Sequence, residues 1–285
     1  MRALLDTVDK ALDHDVNILI LGESGSGKGW LAETIHRFGS RRDEPFVHVD
    51  CAAIPVDLFE SELFGFEKGT FTGAVDRKAG RLELAKRGTV YFDEIASLAQ
   101  SQQAKLLRAL EERRFTRLGG AGEVHLEARV VSSSSADVNA ALRRDLLYRI
   151  NVLTVTLPPL RERKEDVARL AEGFARNAGK RVHADALRLL EDYAWPGNVR
   201  ELRNAIERAA LMTDGDTIVP SALPLAEPAE LVTVAARDGW TLDELEARYI
   251  REVLRQTKEN YSRAAEILGI NRKTLLEKRR KYGIE

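Results

Sequence analysis

The stretch ILILGESGSGK, from Ile18 to Lys28, constrains this chain more than any other. A short apolar run passes directly into a glycine-rich loop, and a helix-like segment, Trp30–Arg37, follows. Strand, then G-x-x-x-x-G-K, then helix is the order in which backbone amides at a helix N-terminus aim at a phosphate group. Gly22, Gly27 and Lys28 fill the fixed positions, and Glu23, Ser24, Gly25 and Ser26 complete the loop. Lys28 adds a compact positive charge. Gly29 stands where the general pattern has a Ser or Thr hydroxyl for Mg²⁺. It offers no side-chain ligand, and in a first helical turn it costs about 1 kcal/mol of helix stability. Without its context the stretch is also readable as a tight strand-to-helix turn carrying an incidental lysine.

The context is an α/β pattern. Five apolar runs, Ile18–Leu21, Phe46–Val49, Thr89–Phe92, Ala128–Val131 and Val152–Leu157, alternate with helical segments such as Gln102–Glu112. Such alternation predicts a mostly parallel sheet covered by helices on both faces. The run Thr89–Phe92 ends in Asp93 and Glu94. A carboxylate pair at that place suits Mg²⁺ binding by Asp93 and orientation of an attacking water by Glu94, although a single Asp-Glu is also an ordinary solvated turn. Beyond Pro158 the strand signals vanish, and helices are expected over Lys164–Arg176, Ala184–Tyr193 and Asn198–Met212. The proline-bearing PSALPLAEP, residues 220–228, reads as a linker. The expected division is 1–158, an α/β nucleotide-binding part; 159–219, a small helical lid; 220–238, a linker; and 239–285, an all-α segment.

In that last segment Thr241 and Glu244 have capping-box spacing, with Trp240 and Leu245 placed for a hydrophobic staple. Leu242, Leu245, Tyr249 and Val253 form an apolar stripe suited to packing on a partner, including a second copy. Ser262–Leu268, a turn at Gly269 and a helix capped by Asn271 fit helix-turn-helix geometry. The second of these helices carries Arg272, Lys273, Thr274, Lys278, Arg279, Arg280 and Lys281 against one acid, Glu277. Its first turn suits base edges, and its cations suit phosphates. A plain basic solvated helix is the alternative. The whole chain has 44 basic and 45 acidic residues, so contact with nucleic acid must come from this local patch. The lone Cys51 excludes an internal disulfide and fits a reducing compartment. No apolar run is long enough to span a bilayer, and a cytoplasmic protein without a membrane partner is expected. The N-terminal MRALLDTVDKALDHD reads as a short amphipathic helix.

The stretch LFGFEKGTFTGA, residues 63–74, resembles the signature loop of bacterial sigma-54-dependent enhancer-binding proteins of the AAA+ superfamily, usually written GAFTGA. GESGSGK, PFVHVDCAAIP, FDEIASL, LPPLRER, WPGNVREL and YSRAAEILGINRKTLLEKRRKYGI extend the resemblance over nearly the entire chain. It implies a five-stranded AAA+ αβα sandwich with a helical lid and a Fis-type helix-turn-helix domain, pairing as a dimer on double-stranded enhancer DNA. It further implies ATP and Mg²⁺ held between neighbours of a homo-oligomeric ring, dimer to hexamer. Arg143 and Arg149 match the finger arginines that reach a neighbour's site, and Arg200 matches the lid arginine that senses nucleotide. Gly69, Thr70, Phe71, Thr72, Gly73 and Ala74 would contact sigma-54 in the RNA polymerase holoenzyme, with Thr70 where the family has alanine. On residues alone, Phe71 is a hairpin tip packing on its own domain, and each arginine is a surface ion pair.

Four departures from the family pattern bear on turnover. Asp50 replaces the usual asparagine, placing a third carboxylate near Asp93 and Glu94, where it would raise a pKa or alter the metal requirement. Ser135, last of the run Ser132–Ser135, replaces an amide. The chain from there to Arg143 is several residues short, which alters the placing of the fingers. Gly29 replaces the family's glutamate. About sixteen residues precede the first strand, too few for a receiver or ligand-sensing domain, so control is expected from a regulatory protein in trans, from expression, or from a domain beyond this sequence. The expected function is ATP-driven remodelling of sigma-54 polymerase into an open promoter complex. The alternative is a DNA-binding regulator that binds nucleotide with impaired hydrolysis and acts as a structural or heteromeric partner.

Overall fold

Each of the five apolar runs forms a strand: β1 (Ile18–Leu21), β2 (Phe46–Asp50), β3 (Thr89–Asp93), β4 (Arg129–Ser134) and β5 (Leu153–Thr156). The computed structural model describes residues 8, 9, 11, 12, 14–225, 239–257 and 260–284. The strands make one sheet in the order β2-β3-β4-β1-β5, every pair parallel. Parallel strands buried on both faces must be apolar at successive residues. Accordingly Leu19, Val49, Val90, Phe92 and Val130 join one core, and Ile18, Ile20, Tyr91, Val131 and Val155 join the other. Helices α1 (Lys28–Phe38), α2 (Gln100–Glu112) and α3 (Arg144–Ile150) supply the covering side chains, among them Leu31 and Ile35, Leu106 and Leu110, and Leu146 and Ile150.

The fourth strand differs from its apolar run. It continues through Ser132, Ser133 and Ser134, all fully buried, because Ser134 is in register with Leu21 of β1 and the ladder extends to that point. Three small strand pairs also escaped hydrophobic periodicity, being too short to show alternation. Gly65–Phe66 pairs antiparallel with Lys78–Ala79, and Arg114–Thr116 with Glu123–His125. Arg181–Val182 pairs parallel with Thr217–Ile218, which corrects the expectation of no strand beyond Pro158.

Helices α4 (Lys164–Asn177), α5 (Ala184–Asp192) and α6 (Asn198–Leu211) bury stripes at helical spacing: Val167, Ala171 and Ala175; Ala186 and Leu190; Leu202, Ala205, Ile206 and Ala209. Between α5 and α6, Trp195 is 1% exposed. Its indole N–H donates to the Leu190 carbonyl at 2.7 Å, and Tyr193 meets its ring edge-on. All of this lies in one compact unit, 1–223; residues 224–285 form a second. At the N-terminus Val8, Asp9, Ala11 and Leu12 are helical; the other residues of the expected amphipathic helix up to 13, and 226–238 of the expected linker, lie outside the described residues.

The second unit consists of α7 (Leu242–Gln256), α8 (Tyr261–Ile267) and α9 (Arg272–Lys281). The Thr241–Glu244 capping box forms in both directions, and Asn271 caps α9 by accepting from the Thr274 amide at 2.8 Å. The expected stripe on α7 is divided, with Val253 in the bundle core and Leu242 and Tyr249 outside it. The buried face is Ile250, Val253 and Leu254, packed with Ala264, Ala265, Leu275 and Ile284, while Leu242 is 85% exposed and Tyr249 is also exposed. The helix is therefore turned so that the Ile250 side faces its own bundle, and the Arg248 guanidinium lies 3.7 Å over the Trp240 ring.

Trp195→Ala removes a fully buried ring and leaves the Leu190 carbonyl without its partner. We expect a loss of about 3–5 kcal/mol of stability, read as a lower denaturant midpoint for the first unit.

Candidate functional site

Parallel strands end on the same side, and β4 lies between β3 and β1. The turn after β1, the acids after β3 and the serines ending β4 are thereby brought side by side, at the carboxyl end of the sheet where α/β proteins place ligands. Gly25 shows why the loop is glycine-rich. It sits at φ 75°, and a Cβ there would lie 2.4 Å from the Gly197 carbonyl oxygen. Lys28, only 5% exposed, directs its ammonium to the carbonyls of Gly22 and Glu23 at 3.0 and 3.3 Å and to Glu94 Oε1 at 3.0 Å. The Ser26 hydroxyl is buried in the same loop with no hydrogen-bond partner. A Cβ on Gly29 would touch only the Tyr91 ring, at ordinary van der Waals distance, so that position is open to a side chain.

Asp93 and Glu94 are held in different ways. Asp93 Oδ1 lies 2.5 Å from Ser133 Oγ and 2.7 Å from the Tyr91 hydroxyl, and Oδ2 lies 3.6 Å from His48 Nε2. The neighbouring His48 imidazole, with Ser133 and Tyr91, keeps the Asp93 carboxyl far below the usual range despite its burial. In return Asp93 raises the pKa of His48. For Glu94, burial opposes the charged form, but the Ser135 amide, the Lys28 ammonium and the Ser135 hydroxyl outweigh it and lower the pKa. Asp50 is engaged locally. Its Oδ1 accepts from the amides of Ala52 and Ala53 at 3.1 and 3.2 Å, closing the turn after β2. Asp93 and Glu94 are both shifted down; the raised pKa beside them is that of His48, set first by its hydrogen bond to Asp93, with the Asp50 charge adding to it. Pattern reading missed His48 and Tyr91: one sits mid-strand, and the other passes for a core aromatic. Their register opposite each other on β2 and β3 was the available signal.

Mg²⁺ takes one or two carboxylates and completes its shell with phosphate oxygens and water. An ionised Asp93 beside a phosphate-type loop fits that requirement. Among the described residues no group of three or more His, Cys, Asp or Glu could hold a metal on its own, so the donor set suits a cation shared with phosphates.

The helical segment closes on the loop. Arg161 makes a two-pronged ion pair with Glu23 at 2.6 and 2.8 Å. Asn198 Nδ2 donates to Glu23 and to the Ser24 carbonyl, while its Oδ1 accepts the Leu160 amide at 2.7 Å. The Arg163 guanidinium donates to the Ser26 carbonyl at 2.6 Å, and Arg200 to Ser24 Oγ at 3.1 Å. A cavity of about 510 Å³, of ligand-binding size, is lined by Glu23, Ser24, Ser135, Gly197, Arg200 and Glu201 among others. Arg161, Arg163 and Asn198 were not singled out from sequence, because each reads alone as a surface or turn residue.

Arg143 pairs with Asp145 at 2.7 Å, and Arg149 donates to the Leu110 carbonyl at 2.8 Å. Both are exposed. Gly69–Ala74 forms a tight loop with Gly69 and Gly73 at positive φ. The Gly69 amide donates to the Ala74 carbonyl at 2.9 Å. Thr70 Oγ1 contacts the carbonyls of Glu67 and Leu118 at 2.6 and 3.0 Å. Phe71 is 47% exposed and rests edge-on against Phe66; Thr72 is exposed and Ala74 buried. In the second unit Asn271, Arg272 and Lys273 are exposed at the start of α9, with Thr274 half-buried. Lys278 and Arg279, further along the same helix, each have partners within the unit. Lys278 pairs with Glu246 at 2.7 Å, and Arg279 donates to the Tyr261 hydroxyl and the Ile284 carbonyl, both at 2.8 Å. They tie α9 to α7 and α8.

Comparison with known families and structures gives a consistent result along the chain. Residues 1–156 match the Sigma-54 interaction domain, residues 161–232 the AAA+ ATPase lid domain, and residues 241–282 the bacterial regulatory protein Fis family. The transcriptional regulatory protein FlbD of Caulobacter vibrioides is 42% identical over 99% of this chain and 68% of its own. The regulatory protein AtoC of Escherichia coli is 40% identical over 98% and 65%. A crystal structure of NtrX from Brucella abortus in complex with ATP superposes with a TM-score of 0.72 at 32% identity, covering 100% of this chain and 68% of that one. The chain spans 68% of the length of FlbD, 65% of AtoC and 43% of the formate hydrogenlyase transcriptional activator FhlA of Escherichia coli, to which it is 39% identical. Among the described residues no helix is long and apolar enough to cross a membrane.

The Glu23–Arg161 pair predicts a pH signature. The Arg161 hydrogen bond, followed by that of Asn198, lowers the Glu23 pKa from 4.5 to about 2. A depressed carboxylate contributes stability above its unfolded pKa and loses it as pH falls through the folded value. The contribution is therefore full above about pH 4.5 and gone below about 2, and it is modest because the pair is exposed to solvent. NMR titration of the Glu23 carboxyl should show a midpoint near the lower value that moves toward 4.5 in Arg161→Ala.

Proposed function

The chain belongs to the sigma-54 interaction family of AAA+ proteins, and from that premise we propose that it is a DNA-binding transcriptional activator. It hydrolyses ATP in an oligomeric ring and uses the energy to remodel sigma-54 RNA polymerase. The observation that carries this reading is the convergence of Lys28, Asp93 and Glu94 at the end of one parallel sheet, under a lid that grips the phosphate loop.

In this reading the loop amides from Gly22 to Gly29 and the Lys28 ammonium bind the phosphates, and Arg200 reaches the nucleotide from the lid. Asp93 would hold Mg²⁺, which when bound neutralises charge on the phosphate oxygens. Glu94 orients water and accepts its proton as the water oxygen bonds to the γ-phosphorus and the bond to the β–γ bridging oxygen breaks, leaving ADP and inorganic phosphate. Arg143 and Arg149 serve a neighbouring copy's site, each exchanging its internal partner, Asp145 or the Leu110 carbonyl, for phosphate charge. The Gly69–Ala74 loop presents Phe71 and Thr72 to sigma-54. Asn271, Arg272, Lys273 and Thr274 at the start of α9 read enhancer DNA, with Lys278 and Arg279 bracing the helix behind them. A cytoplasmic location follows from DNA binding, and a trans-acting regulator remains part of this proposal. Family membership weighs against the alternative of a regulator with impaired hydrolysis.

Mg²⁺-dependent ATP hydrolysis should rise with protein concentration as rings assemble, and Lys28→Ala and Glu94→Ala should each lower it by about 10²-fold or more. A wild-type rate no higher than either variant, at concentrations where rings are visible, would sink the reading. Phe71→Ala should keep its hydrolysis rate while losing sigma-54 capture in a pull-down; equal loss of both would remove the case for a separate contact loop.

A further inference from the structure

Resting on the reading in which Arg149 serves a neighbouring copy, we infer that Arg113 joins Arg149 in receiving the phosphates of that neighbour's nucleotide. Arg113 holds a position suited to glycine. It ends α2 at φ 53°, ψ 28°, the left-handed conformation in which helices commonly close on glycine or asparagine, and a residue with a Cβ is strained there. Within its own subunit the side chain makes little use of the place. A guanidinium has five N–H donors, and among the described residues this one makes a single hydrogen bond, to the Ala128 carbonyl at 3.3 Å. Burial, and then the charges of Arg149 and Arg41, lower its pKa against the opposing pull of Asp15. Asp15 is itself paired with Arg41. Three guanidiniums therefore share one carboxylate, and the half-buried Arg113 is the one left with open donors.

The cluster lies at the end of the sheet opposite the acids. The carbonyls it uses, of Gly88, Glu127 and Ala128, stand just before β3 and β4. The Arg149 carbonyl accepts from Asn17, the residue before β1. Lys28, Asp93 and Glu94 stand instead where β1 and β3 end. A strand of five residues separates its two ends by about 17 Å, beyond the reach of an arginine side chain. The anion that these donors suit is therefore not this copy's own nucleotide. Arg149 is exposed and holds the Leu110 carbonyl, three residues before Arg113 on the same helix end. When Arg149 turns outward to a neighbour's phosphate, Arg113 stands beside it with unused donors. Two guanidiniums on one phosphoryl group neutralise more of the charge that develops as the bond to the bridging oxygen breaks. The competing role is structural, because cations at the carboxyl end of a helix are favourable by themselves. That role is read in stability and not in a neighbour's turnover.

The test uses the full chain above the concentration at which rings form. Hydrolysis and the thermal midpoint are measured for wild type, Arg113→Gly, Arg113→Asn, Arg149→Ala and Glu94→Ala, and hydrolysis again for each arginine variant mixed equally with Glu94→Ala. Arg113→Gly should lower kcat about tenfold, the scale of one hydrogen bond to a charged group. It should melt no lower than wild type, because glycine takes the left-handed conformation without strain; Arg113→Asn should behave alike. Glu94→Ala keeps its arginines, so the mixture with either Arg113 variant should hydrolyse about fivefold faster than the two chains measured apart. In a randomly mixed head-to-tail ring about a quarter of the sites pair an intact Glu94 with a neighbour's intact Arg113. An unchanged kcat in both Arg113 variants would overturn the inference. So would a lowered midpoint with normal hydrolysis, or a loss that mixing does not relieve while that of Arg149→Ala is relieved. If mixing rescues neither the Arg113 variants nor Arg149→Ala, the trans reading of Arg149 fails and takes this inference with it. A wild type no faster than Glu94→Ala would end the hydrolysis reading before either.

Discussion

The parallel pairing of β4 between β3 and β1 is the constraint on which the rest depends. It sets three strand ends at one edge, so the glycine loop, the acid pair and the buried serines converge without any long-range reach by flexible side chains. Parallel pairing itself requires helical crossovers and two buried faces, and both are met by successive apolar residues in each strand. The charged residues are then confined to where the strands stop. A sheet of this kind leaves its polar groups few places to go, and here most of them meet at one end.

The same economy governs the lid. Asn198, itself at positive φ and fully buried, bonds at once to the Leu160 amide, the Glu23 carboxylate and the Ser24 carbonyl. One side chain joins the sheet's first loop to the helical segment from two directions. Arg161 and Arg163 add charge to that contact, on an exposed and a buried side respectively. Opening the lid therefore means unmaking a specific set of hydrogen bonds to the phosphate loop, so lid position and loop geometry are physically coupled.

How far the residue pattern foretold this varies by element. The five sheet strands and the helices of the first unit were readable because buried parallel strands and amphipathic helices leave strong periodic marks. The paired strands of two or three residues left none. The extension of β4 through Ser132–Ser134 was hidden for a different reason: serine resembles loop chemistry until a neighbouring strand supplies a ladder. Lys28, Asp93 and Glu94 were visible as motif positions. His48 and Asn198 act through neighbours distant in sequence, and Tyr91 joins Asp93, two residues on, to Ser133 of the next strand, so only the strand register could mark them. Asp50 was visible by its place before Cys51, but its hydrogen bonds to the turn that follows it were not. Lys278 and Arg279 looked like free cations because Glu246 and Tyr261, which hold them, lie on other helices.

Thr70 is the residue by which the Gly69–Ala74 loop departs from the family's usual alanine. Its hydroxyl contacts the Leu118 carbonyl, and the backbone bonds of Glu67 and Leu118 run alongside. The loop is thus sewn to the strand pair Arg114–Thr116 and Glu123–His125 at its base, and that pair continues directly from α2. A segment fastened in this way is held by a side chain as well as by its backbone. One continuous path of contacts runs from Phe71's loop through the Leu118 stitch to the end of α2, the same helix end whose Leu110 carbonyl is gripped by Arg149.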